Sequence, residues 1–281
     1  MSIWIWERPS WPNFEFDEGR YKGFHRQFEF NRQNMLAGVI FFDDQDKENF
    51  RIAVTGMEAL KSSEIEGERM DLPKLIGSIK ANFASFNRSP RKSIVAMMAD
   101  VYRNFSKPLT HKTLKKWNEH VLAVREGFDG IKIVGDYRQH PEPMQIVDGR
   151  LDGLGRVYYE APPSEVMEAE MDGFIKWYNR TGRNGEEPLP PLIRAGLAHL
   201  YFVAIHPFED GNGRIARAIS ERALSEYIGE PTLISLSHAI ANSGNQYYDA
   251  LRAATALGDV ETWLEYFCET VLEAETLTRQ K

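Results

Sequence analysis

The most constraining feature of the sequence is a polar turn set between two apolar segments. The turn reads His206-Pro207-Phe208-Glu209-Asp210-Gly211-Asn212-Gly213-Arg214-Ile215-Ala216-Arg217. Helix-compatible apolar residues fill much of 197–205 before it and 215–224 after it. A chain with this pattern is expected to form two helices joined by a loop that concentrates its reactive side chains.

The Gly-Asn-Gly core of the turn predicts an anion site. Glycines let backbone N–H groups approach a ligand closely. A helix that starts at about Asn212 points its unpaired N–H groups and the positive end of its dipole at the same place. Arg214 and Arg217 lie one helical turn apart, and their guanidinium groups suit phosphate oxygens. Two such groups indicate more than one phosphate.

Asp210 and His206 complete the candidate site. A carboxylate is the hard oxygen ligand that Mg²⁺ prefers, with the substrate's own phosphates supplying further ligands. An imidazole can take a proton from an attacking hydroxyl near neutral pH. Taken singly, such residues are more often structural, as helix caps, buried histidines or solvated arginines. Their concentration in one loop favours the functional interpretation.

These twelve residues resemble, position for position, the signature His-Pro-Phe-x-Asp/Glu-Gly-Asn-Gly-Arg-x-x-Arg of the Fic (filamentation induced by cAMP) family. The resemblance implies a protein adenylyltransferase, which moves AMP from ATP to a Ser, Thr or Tyr hydroxyl of a protein, including its own. It implies ATP as co-substrate and Mg²⁺ as cofactor, with His206 as the catalytic base and Asp210 as the metal ligand. The nucleotide-binding residues it implies are Gly211, Asn212, Gly213, Arg214 and Arg217.

A second motif lies upstream. The run Ser62-Ser63-Glu64-Ile65-Glu66-Gly67 resembles the inhibitory motif Ser/Thr-x-x-x-Glu-Gly/Asn of the same family. The resemblance implies that Ser62, Glu66 and Gly67 form an inhibitory segment in which Glu66 reaches Arg217 and blocks the γ-phosphate position. A glutamate near a helix C-terminus opposes the dipole there, so an arginine partner would stabilise it. An ordinary helix end closed by Gly67 fits the same residues.

Residues 127–163 change to Gly, Pro and short β-type runs. Segments 144–147 and 157–160 flank a turn at 148–153, which predicts a β-hairpin. It resembles the Fic flap, whose exposed edge would pair with the target protein and present its hydroxyl. The candidate nucleotide-side residues of the flap are Val157, Tyr158, Tyr159 and Glu160. Tyr247 and Tyr248 resemble a tyrosine pair that borders the adenine, although two core tyrosines would fit equally well.

The fold expected from these patterns is mainly α, a Fic-type helical bundle with a small β-hairpin flap. We expect an N-terminal helical domain carrying the inhibitory helix over residues 1–80 and the Fic catalytic domain over residues 81–281. Residues 3–16 hold three tryptophans and two prolines, which predict an extended arm pinned to the body. The arm also resembles the small N-terminal domain of one bacterial branch of the family. His111 and His120 have no partners at metal-ligand spacing and are expected at the surface.

The net charge and the cysteine content limit which partners and which cellular compartment are expected. The formal net charge of −7 argues against direct binding to nucleic acid or to an anionic membrane. Cys268 is the single cysteine, so an intrachain disulfide is excluded, and the sequence shows neither a signal peptide nor a run of membrane-spanning length. We therefore expect a cytoplasmic protein whose partners are ATP and a protein target presented at the flap, with a second copy of the chain as a further candidate.

Other functions fit the same residues. The chain could be a deAMPylase that removes AMP from a modified protein by hydrolysis, with Glu66 aligning the attacking water. It could instead transfer another nucleotide monophosphate, such as UMP. A nucleotide-sensing module without catalysis would also keep the phosphate loop, although retention of every fixed position of the signature argues against it.

Overall fold

The structure is a computed structural model that describes residues 3–39, 43–68, 93–123, 130–147, 157–232 and 234–279, together with residues 70, 73, 75, 77 and 79. This part of the chain is mostly helical and contains one small two-stranded sheet. The predicted mainly α fold is therefore confirmed. Within the described ranges, none of the helices has both the length and the hydrophobicity needed to cross a membrane.

The two strands lie in the chain between the inhibitory motif and the central turn, as the sequence predicts. The helices are α1 (Lys22–Val39), α2 (Asp44–Ile65), α3 (Ile94–Asn104), α4 (His111–Leu122), α5 (Met167–Arg180), α6 (Pro191–Ile205), α7 (Asn212–Ile228), α8 (Leu236–Ser243), α9 (Gln246–Leu257) and α10 (Val260–Arg279). The strands are β1 (Gln145–Val147) and β2 (Val157–Glu160), which pair antiparallel with an irregularity after Ile146. Both strands of the predicted hairpin are confirmed, and the turn predicted between them lies outside the described residues.

α6 and α7 form the centre of the fold. Every residue of α6 is buried, because this helix is apolar on nearly all sides and is covered by its neighbours. α7 packs along it, and α5 and α10 cover other faces of α6. The two central helices therefore fix both ends of the loop that joins them, residues 206–211.

α2 is bound to this body near its middle by a buried glutamate. The side chain of Glu58, a residue that is 1% exposed, accepts hydrogen bonds from the backbone N–H of Ser237 at 2.8 Å and from the hydroxyl of Ser235 at 3.1 Å. These donors lie at the N-terminus of α8, where backbone N–H groups have no partner within the helix. Glu58 therefore joins α2 to α8.

The N-terminal arm, residues 3–16, lies against the body as predicted. It is not extended throughout, because it contains a 3-10 turn at Ile5–Glu7 and a further turn at 9–12. Trp11 meets the ring of Tyr201 edge-on, with 4.9 Å between ring centroids, and its Nε1 donates a hydrogen bond to Glu170 at 3.0 Å. Indole rings thus anchor the arm through both apolar contact and hydrogen bonding.

The expectation that His120 lies at the surface is wrong. His120 is buried, with 4% of its surface exposed. It lies on the same inward face of α4 as Trp117, and its neighbour Val121 is also buried. His111 is partly exposed, and its ring nitrogens lie 2.9 Å from the hydroxyl of Tyr137 and 2.9 Å from a carboxylate oxygen of Asp172.

Candidate active site

The central loop begins at His206, where α6 ends. His206 adopts a left-handed conformation, with φ 51° and ψ 58°, and among the described residues it is the only non-glycine residue with positive φ. Such a conformation is unfavourable for a side chain with a β-carbon and is found mostly where the surroundings impose it. The half-buried imidazole thereby lines the wall of a cavity rather than packing into α6.

The imidazole of His206 is prepared to accept a proton. Its Nδ1 lies 3.3 Å from the carbonyl oxygen of Val203, and only a protonated nitrogen can donate there, which favours Nε2 as the acceptor. Burial lowers the pKa of His206 to about 4, and the nearby Arg138 acts in the same direction, against the Val203 carbonyl. The ring is therefore neutral near pH 7.

Buried amides hold the loop in shape. The side chain of Asn212 accepts a hydrogen bond from the N–H of Phe208 at 3.0 Å and donates one to its carbonyl at 2.7 Å. Asn118 in α4 donates to the carbonyl of Asp210 at 2.9 Å and accepts from the N–H of Gly135 at 2.8 Å. In this state Asn212 braces the loop, and its contact with a phosphate stays a prediction.

Arg138 fixes the start of the loop from the other side. Its Nε donates to the carbonyl of His206 at 2.9 Å, and its backbone N–H donates to the carbonyl of Pro207 at 2.9 Å. Another of its nitrogens bonds the carbonyl of Pro162 at 2.5 Å, just after β2. Arg138 is 1% exposed, and burial lowers its pKa to about 10. This one side chain joins the loop to the flap.

α7 begins at Asn212, as predicted, and its N-terminus faces the end of α2. Gly211 has a φ of 88° and precedes the helix, so a side chain there would be strained. Gly213 lies directly beneath the carboxylate of Glu66, since a β-carbon at this position would overlap Glu66 Oε1. The carboxylate therefore lies at the end of α7 where unpaired N–H groups attract an anion.

Arg217 is completely buried and is held by the end of α2. Its Nε donates to Ser62 Oγ at 2.9 Å, and its Nη2 donates to the Ser62 carbonyl and to Glu66 Oε1, each at 2.8 Å. Burial disfavours its charge, but Glu66 and other anionic neighbours outweigh this and raise the pKa of Arg217. Its Nη1 has no hydrogen-bond partner among the described residues and faces Gly213. A second acceptor, such as a phosphate oxygen, would satisfy it.

Arg214 has a carboxylate partner that lies outside both sequence motifs. Its Nη1 lies 2.7 Å from Glu68 Oε1, and its Nη2 lies 3.2 Å from Asp210 Oδ1. Glu68 reaches this position because Gly67, with a φ of 75°, reverses the chain after α2. The backbone N–H of Glu68 then bonds the Ser63 carbonyl at 2.9 Å. The inhibitory motif ends at Gly67, so its pattern gave no signal for Glu68.

Asp210 is the residue that could hold Mg²⁺. The described part of the chain contains no group of three or more His, Cys, Asp or Glu side chains able to enclose a metal ion. Mg²⁺ does not need such a group, because it binds through one or two carboxylates and takes its other ligands from water and substrate phosphates. The Asp210 side chain is 28% exposed and adjoins Arg214. Its chemistry and position therefore fit a metal ion brought in with a polyphosphate.

A cavity of about 750 Å³ opens beside the loop, which is within the usual size range of small-molecule sites. Its walls come from the loop, the flap, α9 and the end of α2. The lining residues include His206, Glu209, Gly213, Glu66, Met144, Tyr158, Tyr159, Tyr247, Tyr248, Leu251 and Arg252. Predicted catalytic, phosphate-side, flap and inhibitory residues thus meet in one space.

The predicted aromatic residues have different surroundings. Tyr159 and Tyr247 are each 2% exposed, and their hydroxyls bond the Ala204 carbonyl at 2.6 Å and a ring nitrogen of His199 at 3.0 Å. Tyr248 is 46% exposed and donates to the carbonyl of Ile65 at 3.1 Å, beside Glu66. It therefore links the cavity wall to the end of α2.

Two flap candidates do not line the cavity. Val157 and Glu160 are absent from its wall, and the carboxylate of Glu160 accepts a hydrogen bond from Gln145 at 2.7 Å across the hairpin. Tyr158 and Tyr159, which lie between them, do line it, and nucleotide binding by any of the four residues stays a prediction.

Two segments of the chain match known protein families. Residues 108–224 match the Fic/DOC family, and residues 4–84 match a domain of unknown function, DUF4172. The chain is 31% identical over 158 residues to the protein adenylyltransferase Fic of Nematostella vectensis, covering 55% of this chain and 35% of that protein. It is 30% identical over 104 residues to protein adenylyltransferase fic-1 of Caenorhabditis elegans, covering 37% of this chain and 18% of that protein. The chain thus spans about a third or less of the length of these relatives.

Solved structures share the fold. A Fic domain containing signaling protein from Bacteroides thetaiotaomicron superposes with a TM-score of 0.65 at 21% identity, over 92% of this chain and 95% of that one. Fic-1 from Caenorhabditis elegans superposes with a TM-score of 0.63 at 19% identity, over 93% of this chain and 72% of that one. From the family matches, this chain contains a Fic/DOC family domain over residues 108–224, preceded by a DUF4172 domain over residues 4–84, and the solved structures support the fold.

Proposed function

We propose that the chain is a protein adenylyltransferase, which transfers AMP from ATP to a Ser, Thr or Tyr hydroxyl of a target protein or of the chain itself. The observation that carries this proposal is that one cavity is lined both by His206, whose ring is neutral, and by Gly213, which lies at the anion site. The relatives named above are protein adenylyltransferases. Their names support the same reaction here.

In the proposed reaction, Nε2 of His206 accepts the proton of the target hydroxyl. The hydroxyl oxygen attacks the α-phosphorus of ATP, and the bond from that phosphorus to the oxygen bridging to the β-phosphate breaks. AMP stays on the target and pyrophosphate leaves. The N-terminal amides of α7 and the guanidinium of Arg214 stabilise the charge on the phosphate oxygens. When bound at Asp210, Mg²⁺ would neutralise charge on the phosphates.

The flap offers a place for the target. All three residues of β1 are exposed, and they include Ile146 and Val147, which are 37% and 51% exposed. Exposed apolar residues on a short edge strand favour the addition of a peptide strand. A target segment paired with this edge would lie beside the cavity that Met144, Ile146 and Val147 help to line, so its hydroxyl could approach His206.

The resting state is restrained by the end of α2. Glu66 covers Gly213 and bonds Arg217, so the phosphates of ATP must compete with a carboxylate for the same donors. Removing this carboxylate is therefore expected to raise transfer.

The variant Glu66→Gly tests the proposal. With α-labelled ATP, Mg²⁺ and a protein lysate, we expect at least about tenfold more label on protein than with the unchanged chain, since one strong competing contact is lost. Adding His206→Ala should abolish the label. Glu64→Gly is a matched control, because Glu64 lies on the same turn and pairs with Lys61 at 2.7 Å. Absence of label from Glu66→Gly, with ATP still bound, would reject the proposal.

Hydrolytic removal of AMP is a second candidate, because Glu66 and His206 line the same cavity and a carboxylate there could orient a water molecule. An AMPylated protein substrate separates the two reactions. A deAMPylase would lose removal activity in Glu66→Gly, whereas a transferase would gain label incorporation. Labelled UTP, CTP and GTP in the same assay identify which nucleotide is used.

A further inference from the structure

The N-terminal arm touches the flap strand at two places. Nε1 of Trp6 donates a hydrogen bond to the backbone carbonyl of Glu160 at 2.7 Å. The ring of Trp4 meets the ring of Tyr159 edge-on, with 5.6 Å between centroids and 78° between planes. Glu160 and Tyr159 are neighbours in β2. The arm therefore contacts both the backbone and a buried side chain of the strand that walls the cavity.

The same arm also contacts the end of α9. Nη2 of Arg8 donates to the carbonyl of Leu257, the last residue of α9, at 2.6 Å. The guanidinium lies directly against Gly258, where a β-carbon would overlap it. A cation beside the last carbonyls of a helix is favoured by the helix dipole and satisfies an acceptor that has no partner within the helix. Arg8 thus fixes the C-terminus of α9.

β2 and α9 are two walls of one cavity. β2 contributes Tyr158, and α9 contributes Leu251 and Arg252. The two walls meet inside, where the Arg252 guanidinium lies 4.1 Å from the centroid of the Tyr158 ring. Contacts from the arm join the same two elements from outside.

A two-stranded sheet as short as this one has little stability alone. β2 has four residues, and its partner β1 is exposed along its length. The supports of β2 from outside the hairpin include the bond from Tyr159 to Ala204 and the bond from Trp6 to Glu160. Loss of the Trp6 bond would therefore let β2 move relative to α9.

We propose that Trp6 and Arg8 are positioning residues that set the spacing between β2 and α9 and thereby the affinity of the cavity for ATP. The arm belongs to the segment that matches DUF4172, so this gives part of that segment a role in substrate binding. The inference rests on the proposed function for its kinetic readout, whereas its structural readout is independent of turnover.

The test compares two tryptophans of the same arm. Trp6→Phe removes the bond to β2 and keeps an aromatic ring. Trp11→Phe makes the same chemical change at a residue that bonds Glu170 in α5 instead. Arg8→Met removes the contact with α9. Each variant is made in the full chain that also carries Glu66→Gly, and kcat, KM for ATP, thermal stability and hydrogen exchange of residues 157–160 are measured.

We expect Trp6→Phe and Arg8→Met to raise KM for ATP by about fivefold each, the effect of one hydrogen bond of ordinary strength, with little change in kcat. Trp6→Phe should also speed exchange at residues 157–160. Trp11→Phe should leave KM and this exchange unchanged even where it lowers thermal stability.

Two outcomes overturn the inference. One is an unchanged KM and an unchanged exchange rate in Trp6→Phe. The other is an equal change in Trp6→Phe and Trp11→Phe, which would mean that the arm acts only through general stability. Failure of the proposed function would be seen separately, as a lack of transfer by Glu66→Gly itself. The exchange comparison would then still decide whether Trp6 holds β2.

Discussion

Arg214 donates a hydrogen bond to Glu68, with 2.7 Å between Nη1 and Oε1. Arg217, one turn further along α7, bonds Glu66 at 2.8 Å in the same way. Both buried arginines of the candidate phosphate site are therefore paired with carboxylates from the end of α2. A polyphosphate that enters the site must compete with two carboxylates rather than with one.

Replacing Glu68 should therefore tighten nucleotide binding. We expect Glu66→Gly with Glu68→Gln to bind ATP about three to ten times more tightly than Glu66→Gly alone, because Arg214 loses a charged competitor. Isothermal titration in a chain that also carries His206→Ala measures this without turnover. Glu64→Gln serves as the control, since Glu64 pairs with Lys61 instead. Equal affinity with and without Glu68 would exclude such competition.

Ser62 should contribute a smaller part of the restraint. Ser62→Ala removes the hydroxyl that accepts from Arg217 Nε but keeps the backbone carbonyl that accepts from Nη2. We expect label incorporation to rise by about twofold to fivefold, below the rise from Glu66→Gly. Ser63→Ala is the matched control, because Ser63 is also buried and closes α2 through its backbone carbonyl. A rise of equal size in both variants would point to loosening of α2 in general.

The pH dependence of transfer should reflect the low pKa of His206. In the proposed reaction the neutral ring accepts the proton, and with a pKa of about 4 in the folded chain it stays neutral at every pH above that value. In Glu66→Gly, we expect kcat/KM to stay level from about pH 8 to about pH 5 and to fall only as the pH drops further. A fall centred near 6.5, the ordinary histidine value, would show that burial does not act on this ring in the free enzyme.

Glu275 should limit stability at high pH. It is buried in α10 and accepts a hydrogen bond from Asn31 at 2.8 Å, and burial raises its pKa from 4.5 to about 7. The folded chain binds the Glu275 proton more tightly than the unfolded chain does. The free energy of unfolding therefore decreases as the pH rises from 4.5 to about 7, and the full destabilisation by the Glu275 charge is present above that range. Glu275→Gln should raise the free energy of unfolding by about 1–3 kcal/mol at about pH 8.

Denaturant unfolding at a high and a low pH checks this prediction. The gain from Glu275→Gln should shrink as the pH falls from 7 to 4.5 and approach zero below 4.5, where the carboxyl becomes protonated in both states. Glu273→Gln is the control, because Glu273 lies on the exposed face of the same helix. A gain that did not depend on pH would mean that something other than the charge is responsible.

Local patterns in the sequence predicted the elements that carry the site. The glycines around Asn212 marked the start of α7, and short β-type runs at 144–147 and 157–160 marked the flap strands. In both places the information lies within a few neighbouring residues, because helix starts and short strands follow from backbone preferences and periodicity. The pairing of Glu66 with Arg217 came from the family motif instead, since no local rule relates residues 151 positions apart.

The contacts that shape the loop could not be predicted in this way. Asn118 and Arg138 hold it from distant parts of the chain, and their side chains are common residue types in unremarkable surroundings. Glu68 was missed because its position depends on the reversal at Gly67 rather than on a helical repeat. His120 was misjudged because a polar side chain on an inward face looks, in sequence, like one at the surface.

The buried hydrogen bonds of Glu58 limit how α2 could move when the proposed restraint is released. If all of α2 moved away as a rigid body, Glu58 would lose its hydrogen bonds to the amide and hydroxyls at the start of α8. Buried polar groups would then be left without partners, which is costly. Unwinding only the turn after Ser62 leaves that anchor untouched. Release of the proposed restraint should therefore involve only the last turn of α2, and a ligand or partner needs to contact only that end of the helix.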